Sequence, residues 1–216
     1  MGKVKSDAMR LYLVTDRGWL GNETLEAQVQ KAIDGGATFL QIREKHMAHD
    51  DFIKEAASLK KLAAAAEIPF VVNDDVDVAL AVDADGVHIG QSDGEAVKVR
   101  AAIGPDKILG VSAQTLDQAL AAEAAGADYL GVGAVFATAT KEDASEVSFE
   151  TLKAICEKTT IPVVAIGGLN AGTIPKLAGS DVDGVAVISA IFSAENITAE
   201  TQKLRALSEA MVTCHA

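Results

Sequence analysis

The segment Gln41-Ile42-Arg43-Glu44-Lys45 places two cations and an amide two residues apart. In an extended chain Gln41, Arg43 and Lys45 share a face, and Arg43 and Lys45 could grip a polyanion from one side. Two further turns carry carboxylates, Asn73-Asp74-Asp75 and Gln91-Ser92-Asp93. One carboxylate from each of two adjacent loops suits Mg²⁺, which keeps several waters and takes one or two carboxylates plus substrate phosphate oxygens. Asp93 is equally well placed to cap a following helix, and the two roles are compatible. Asp75 reads as a first-turn residue of the next helix.

A second phosphate site is suggested further along. The polar stretch from Gly131 to Asp143 includes Thr138, Thr140 and Lys141, whose hydroxyls and ammonium could donate to phosphate; a solvated surface loop is the alternative. Gly167-Gly168 and Ser189-Ala190-Ile191 offer bare backbone N–H groups and the start of a short helical turn, a common cradle for a phosphate monoester. The residues thus divide into a cationic, metal-assisted group and a backbone-amide group. No lysine stands on the run Asp128 to Val132, which disfavours a Schiff-base aldolase there. His88 alone of the four histidines falls on a strand, where a structural role is the simpler reading, and no general base stands out.

The elements that must position these residues are short β-branched runs separated by alanine-rich stretches. The runs are 11–15, 38–43, 70–73, 86–89, 108–112, 129–132, 163–166 and 184–188. Helices are expected over 23–34, 50–66, 93–103, 115–125, 148–158 and 198–211, with shorter connections after the third and seventh runs. Asp50, Asp93, Thr115 and Ser148 are the expected caps, and Gly35, Gly104 and Gly126 the expected stops. Eight βα units of about 27 residues each fit a small (β/α)8 TIM barrel, an α/β fold whose reacting groups gather at the C-terminal ends of the strands. A doubly wound sheet is the runner-up, disfavoured because Thr15-Asp16-Arg17-Gly18 stands where G-x-G-x-x-G would follow the first strand. The expected layout is one catalytic barrel over 9–212, a flexible lead-in over 1–8 and a tail over 213–216.

Composition narrows the function. The 216 residues carry 19 Lys and Arg against 31 Asp and Glu, a formal charge of −12 that repels nucleic acid and anionic membranes alike. The two cysteines, Cys156 and Cys214, form no CxxC pair, which points to a reducing, cytoplasmic setting without structural zinc. No apolar run approaches the roughly 18 residues of a membrane span. Gly2 and Ser6 fit the loose myristoylation pattern, with a frayed polar lead-in as the plainer reading. A homo-oligomer is compatible with the sequence but not required by it.

The segments Leu11 to Arg17, Gln41 to Lys45, Val72-Asn73-Asp74, Gly86 to Asp93, Gly110 to Ala113 and Thr138 to Lys141 together resemble the thiamine phosphate synthase family over about residues 9 to 195. The resemblance implies a (β/α)8 transferase. It joins 4-amino-5-hydroxymethyl-2-methylpyrimidine diphosphate to 4-methyl-5-(2-hydroxyethyl)thiazole phosphate, giving thiamine monophosphate and pyrophosphate with Mg²⁺ as cofactor. It further implies that Gln41, Arg43, Lys45, Asn73, Ser112 and Lys141 bind the pyrimidine diphosphate, with Arg43, Lys45, Ser112 and Lys141 carrying catalysis. Asp74 and Asp93 would hold Mg²⁺, and Thr138, Thr140, Gly168, Ile188 and Ser189 the thiazole phosphate. Similar enzymes ionise the pyrimidine C–O bond before the thiazole nitrogen attacks, which explains the missing base.

Departures from the family pattern are Ala134 and Ala137 where prolines are usual, and Asp75 where a basic residue is usual. A related thiazole tautomerase would share the barrel without needing the pyrophosphate grip, and a non-catalytic sensor of phosphorylated ligands would need no turnover. The joint presence of Arg43, Lys45, Asp74, Asp93 and Lys141 favours the synthase.

Overall fold

The computed structural model describes residues 3–92, 95–137 and 146–213. Every β-branched run of the sequence becomes a strand: β1 (Leu11–Val14), β2 (Phe39–Ile42), β3 (Phe70–Asn73), β4 (Gly86–Ile89), β5 (Ile108–Ala113), β6 (Tyr129–Val132), β7 (Val163–Ile166) and β8 (Gly184–Val187). All neighbours pair in parallel, and β8 closes on β1 with Leu11 beside Val185, so the sheet is a closed eight-stranded barrel. The helices are α1 (Leu25–Asp34), α2 (His49–Ala65), α3 (Val76–Ala81), α4 (Ala96–Ile103), α5 (Leu116–Ala124), α6 (Phe149–Lys158), α7 (Ser189–Phe192) and α8 (Ile197–Thr213). Only a 3₁₀ turn, Ile174–Leu177, lies between β7 and β8, in keeping with the short connection expected there. Among the described residues no helix is long and apolar enough to cross a membrane.

Period-two alternation separates two cores. Leu11, Leu13, Leu40, Ile42, Val87, Ile89, Leu130 and Val132 face outward and pack under the helices. On α1, for example, Leu25, Val29 and Ala32 recur at helical spacing and are all buried, the leucine and valine stabilising by about 2 kcal/mol each. The inward set is different. Tyr12, Phe39 and Tyr129 fill the barrel with Val71, Ile108 and Val164, their rings 4.4 to 5.8 Å apart. Gly110 faces inward on β5 and makes this possible, because a Cβ there would run into the Tyr129 ring.

Local chemistry sets the helix starts. Thr115 and Ser148 cap as expected, accepting from the backbone N–H groups of Gln118 and Thr151, and Thr24 does the same for α1. The expected cap at Asp50 is not realised. The helix begins one residue earlier, after Ala48, and Asp50 and Asp51 occupy its first turn, where their charge favours the helix dipole. Asp75 is not a first-turn residue but the cap of α3, its Oδ1 accepting from Val78 N at 2.9 Å. The expected cap Asp93 lies outside the described residues, and Glu95 precedes α4 without a side-chain cap bond.

Of the lead-in expected over 1–8, the described residues 3–8 are packed rather than free. Val4 and Met9 are buried against the inward core, Ser6–Met9 forms a 3₁₀ turn, and Lys3 Nζ pairs with Asp128 at 3.1 Å. Apolar side chains at positions 4 and 9 close the N-terminal end of the barrel, which would otherwise open to water.

Candidate active site

The C-terminal ends of β1 to β5 converge on one half of the barrel mouth, and β1 and β2 are locked together there. Thr15, fully buried just past β1, donates its N–H to Gln41 O at 3.0 Å, and its Oγ1 accepts from Arg43 N at 2.9 Å. Arg17 then reaches Glu44, with Nε 2.7 Å from Oε1, and also pairs with Glu55 of α2. These contacts hold the turn that carries Arg43, half-buried, and Lys45, exposed. Burial pushes the Glu44 carboxyl above the usual range, and the Arg17 guanidinium opposes that rise.

Lys45, Asn73 and Asp74 line a single cleft of about 630 Å³ together with Glu44, His46 and Asp75. The structure therefore brings together the cation, the amide and one of the two carboxylates expected to meet a diphosphate and its metal. Asp74 adopts φ +63, a left-handed conformation that costs a non-glycine residue about 1–2 kcal/mol but that aspartate tolerates better than most. Its N–H donates to His88 O at 2.8 Å, and Asn73 Nδ2 donates to its Oδ2. The strained backbone is thus fixed by bonds on both sides.

For Mg²⁺ the donors are of the right kind. Asp74 offers hard carboxylate oxygen to the cleft, beside a lysine that would share the substrate's charge. Among the described residues no three His, Cys, Asp or Glu side chains converge on a metal position. Mg²⁺ does not need such a cage, since substrate phosphate and water complete its shell. Asp93, the second carboxylate expected, lies outside the described residues.

Ser112, at the end of β5, does not stand alone. Its Oγ is 2.9 Å from His88 Nε2, while His88 Nδ1 is 2.9 Å from Tyr129 Oη. Tyr129 Oη lies 2.6 Å from Tyr12 Oη, which accepts from Gln41 Nε2 at 2.8 Å. Gln41, only 4% exposed, thus points into the barrel and not along the same surface as Lys45. Burial raises both tyrosine pKa values well above the ordinary value, so both phenols stay protonated. Sequence reasoning missed Tyr12 and Tyr129. The available signal was that the chain's two tyrosines occupy inward positions of β1 and β6, Tyr129 opposite the inward Gly110. Gln91 was also undervalued: its Nε2 donates to Ser112 O at 2.7 Å and ties the turn after β4 to β5.

On the other half of the mouth, the turns after β6 and β7 run side by side. Val135 N donates to Ile166 O at 3.0 Å and Phe136 N to Gly167 O at 3.2 Å. Gly167 and Gly168 have φ +102 and +65, and a Cβ on Gly168 would lie 2.7 Å from Ala137 O and from Phe136 Cβ. Glycine is therefore required at 168 by conformation and by space together. Thr173 Oγ1 donates to Gly168 O at 2.9 Å and accepts from Asn170 N at 2.9 Å, which stiffens the turn. On the neighbouring strand end, Ile188 and Ser189 are half-buried where α7 begins. Gly168, Ile188 and Ser189 thus share the ends of two adjacent strands. Thr138, Thr140 and Lys141 lie outside the described residues.

Comparison with known proteins agrees with this geometry. The chain matches the thiamine monophosphate synthase family over residues 11–191. It is 51% identical to a thiamine-phosphate synthase of Clostridium botulinum over 195 residues, covering 90% of this chain and 92% of that one. A thiamine-phosphate synthase of Chloroflexus aurantiacus is 49% identical, with 92% of each chain covered. Among solved structures, a thiamine phosphate pyrophosphorylase from Pyrococcus furiosus superposes with a TM-score of 0.89 at 40% identity, covering 96% of this chain and 98% of that one. By sequence match, by relatives and by fold, the chain belongs to the thiamine monophosphate synthase family.

Proposed function

We propose that the protein is a cytoplasmic, Mg²⁺-dependent transferase that couples 4-amino-5-hydroxymethyl-2-methylpyrimidine diphosphate to 4-methyl-5-(2-hydroxyethyl)thiazole phosphate, releasing thiamine monophosphate and pyrophosphate. The observation that carries the reading is the cleft where Lys45, Asn73 and Asp74 meet, beside the locked turn bearing Arg43. Relatives that share about half of its residues over nearly the whole chain bear the synthase name.

In this reading the C–O bond between the pyrimidine methylene and the diphosphate breaks first, and its electron pair leaves with pyrophosphate. Arg43 and Lys45, with Lys141, hold the departing anion and favour the charge that builds on it. Asp74 and Asp93 would hold Mg²⁺, which would supply further neutralisation of the departing charge. Gln41, Asn73 and Ser112 orient the pyrimidine diphosphate, so that the methylene faces its partner. Gly168, Ile188 and Ser189, with Thr138 and Thr140, anchor the thiazole phosphate. Its ring nitrogen then donates a lone pair to the methylene carbon. That nitrogen carries no proton, so the step needs alignment and not a base.

The two-cysteine composition supports a reducing compartment, and the charge of −12 argues against nucleic acid as a partner. The test is pyrophosphate release from pyrimidine diphosphate and Mg²⁺ with and without thiazole phosphate. Release that depends on both substrates and on the metal is expected. Binding of both ligands with thiazole isomerisation and no pyrophosphate would assign a tautomerase instead.

A further inference from the structure

The chain of buried polar groups from Gln41 to Ser112 has a direction. Gln41 Nε2 donates to Tyr12 Oη, and the phenol proton of Tyr12, which still needs an acceptor, has Tyr129 Oη 2.6 Å away. A Tyr129 that accepts there has its own proton left for His88 Nδ1, 2.9 Å from its Oη. A neutral imidazole that accepts at Nδ1 carries its proton at Nε2, and that N–H donates to Ser112 Oγ. The hydroxyl of Ser112 has then accepted from inside the barrel, and its proton turns outward to the mouth. The opposite orientation of the Gln41 amide would reverse every bond and leave Ser112 only accepting capacity toward a ligand.

We propose that Tyr12, Tyr129 and His88 are positioning residues whose one-way hydrogen-bond chain presents Ser112 as a donor to an acceptor oxygen of the diphosphate substrate. The inference rests on the proposed function for its ligand. The wall around the chain is built to keep it: Gly110 clears space for the Tyr129 ring, and a Cβ at Gly131 would come within 3.1 Å of His88 Cε1. Buried hydrogen bonds of this kind are costly to leave half-made, so a break at Tyr129 is felt at Ser112.

Two measurements decide it. In the free, ¹⁵N-labelled protein, the His88 ring, assigned by comparison with His88→Gln, is expected to carry its proton on Nε2. A proton on Nδ1 would overturn the direction of the chain whatever the protein binds. Calorimetry with pyrimidine diphosphate and Mg²⁺ is expected to show about tenfold weaker binding for Ser112→Ala and for Tyr129→Phe, with the double variant no weaker than either by more than about twofold. Multiplicative losses, or an equal loss of thiazole phosphate affinity, would overturn the proposal. Tyr12→Phe gives an independent break in the chain should Tyr129→Phe fold poorly, with the same non-additivity expected. If the wild-type protein binds no pyrimidine diphosphate, the proposed function fails and takes this ligand with it. Intact binding with Nδ1 protonated overturns the chain alone.

Discussion

Replacing Arg17 with alanine would leave two carboxylates, Glu44 and Glu55, without the cation that both contact. Their side chains are 8% and 12% exposed, whereas Arg17 is 39% exposed. Breaking a fully buried pair costs about 3–5 kcal/mol and an exposed one about 0–1 kcal/mol. With one partner still wetted by solvent, about 2 kcal/mol is expected, a fall in Tm of roughly 4–8 °C for a chain of this size. The loss should depend on pH. Burial, the largest influence on Glu44, raises its carboxyl above its unfolded value, so the folded state binds the proton more tightly. Stability therefore falls as pH rises from the unfolded value through the folded one. Arg17 narrows that window, and Arg17→Ala widens it upward. The difference between variant and wild type should then be largest near neutral pH and shrink as the medium approaches about pH 4.3, where the unfolded carboxyl protonates. Urea unfolding at several pH values, followed by fluorescence of Trp19, reads this directly, because Trp19 is the sole tryptophan and shares the 3₁₀ turn with Arg17. Glu44→Gln in the Arg17→Ala background should recover part of the loss. A difference that is flat with pH, or below about 0.5 kcal/mol, would refute the clamp.

Gly168→Ala is expected to weaken thiazole phosphate binding by about tenfold, from the roughly 1–2 kcal/mol of left-handed strain and the close approach of Ala137 and Phe136, with pyrimidine diphosphate affinity retained in calorimetry. Lys45→Ala should weaken diphosphate binding more than thiazole phosphate binding, and equal losses would contradict its placement in the cleft. Asp74→Asn keeps a residue that tolerates φ +63 but removes the charge, so the melting temperature should change little while the Mg²⁺ concentration for half-maximal turnover rises; an unchanged metal titration would remove Asp74 from the metal site.

The strands were legible because each is a short β-branched run between alanine-rich helices, and strand ends were placed to within about one residue. The barrel followed from counting them. The cleft was legible in part, since Lys45 and Asn73-Asp74, expected to meet, do line it together. It was less legible where tertiary contacts decide. Period two puts Gln41, Arg43 and Lys45 on one face, but β2 ends at Ile42, and Gln41 alone is held inside the barrel by Tyr12. His88 reads as a lone strand histidine until β5 and β6 bring Ser112 and Tyr129 to its two nitrogens. The Asp50 cap was misplaced because Ala48 offers no side-chain acceptor to mark the true start, and Asp75 is the cap because its backbone is extended and its carboxylate accepts from Val78 N. The lead-in was read from its polar residues, although Val4 is what anchors it.

The central claim is that one site holds both substrates and joins them. Its most direct test follows thiamine monophosphate by mass and pyrophosphate by enzymatic assay in the same reaction, with both substrates and Mg²⁺ present. The account predicts equal amounts of the two products, and neither when either substrate or the metal is withheld. Pyrophosphate without thiamine monophosphate, or no product while both ligands bind, would contradict it.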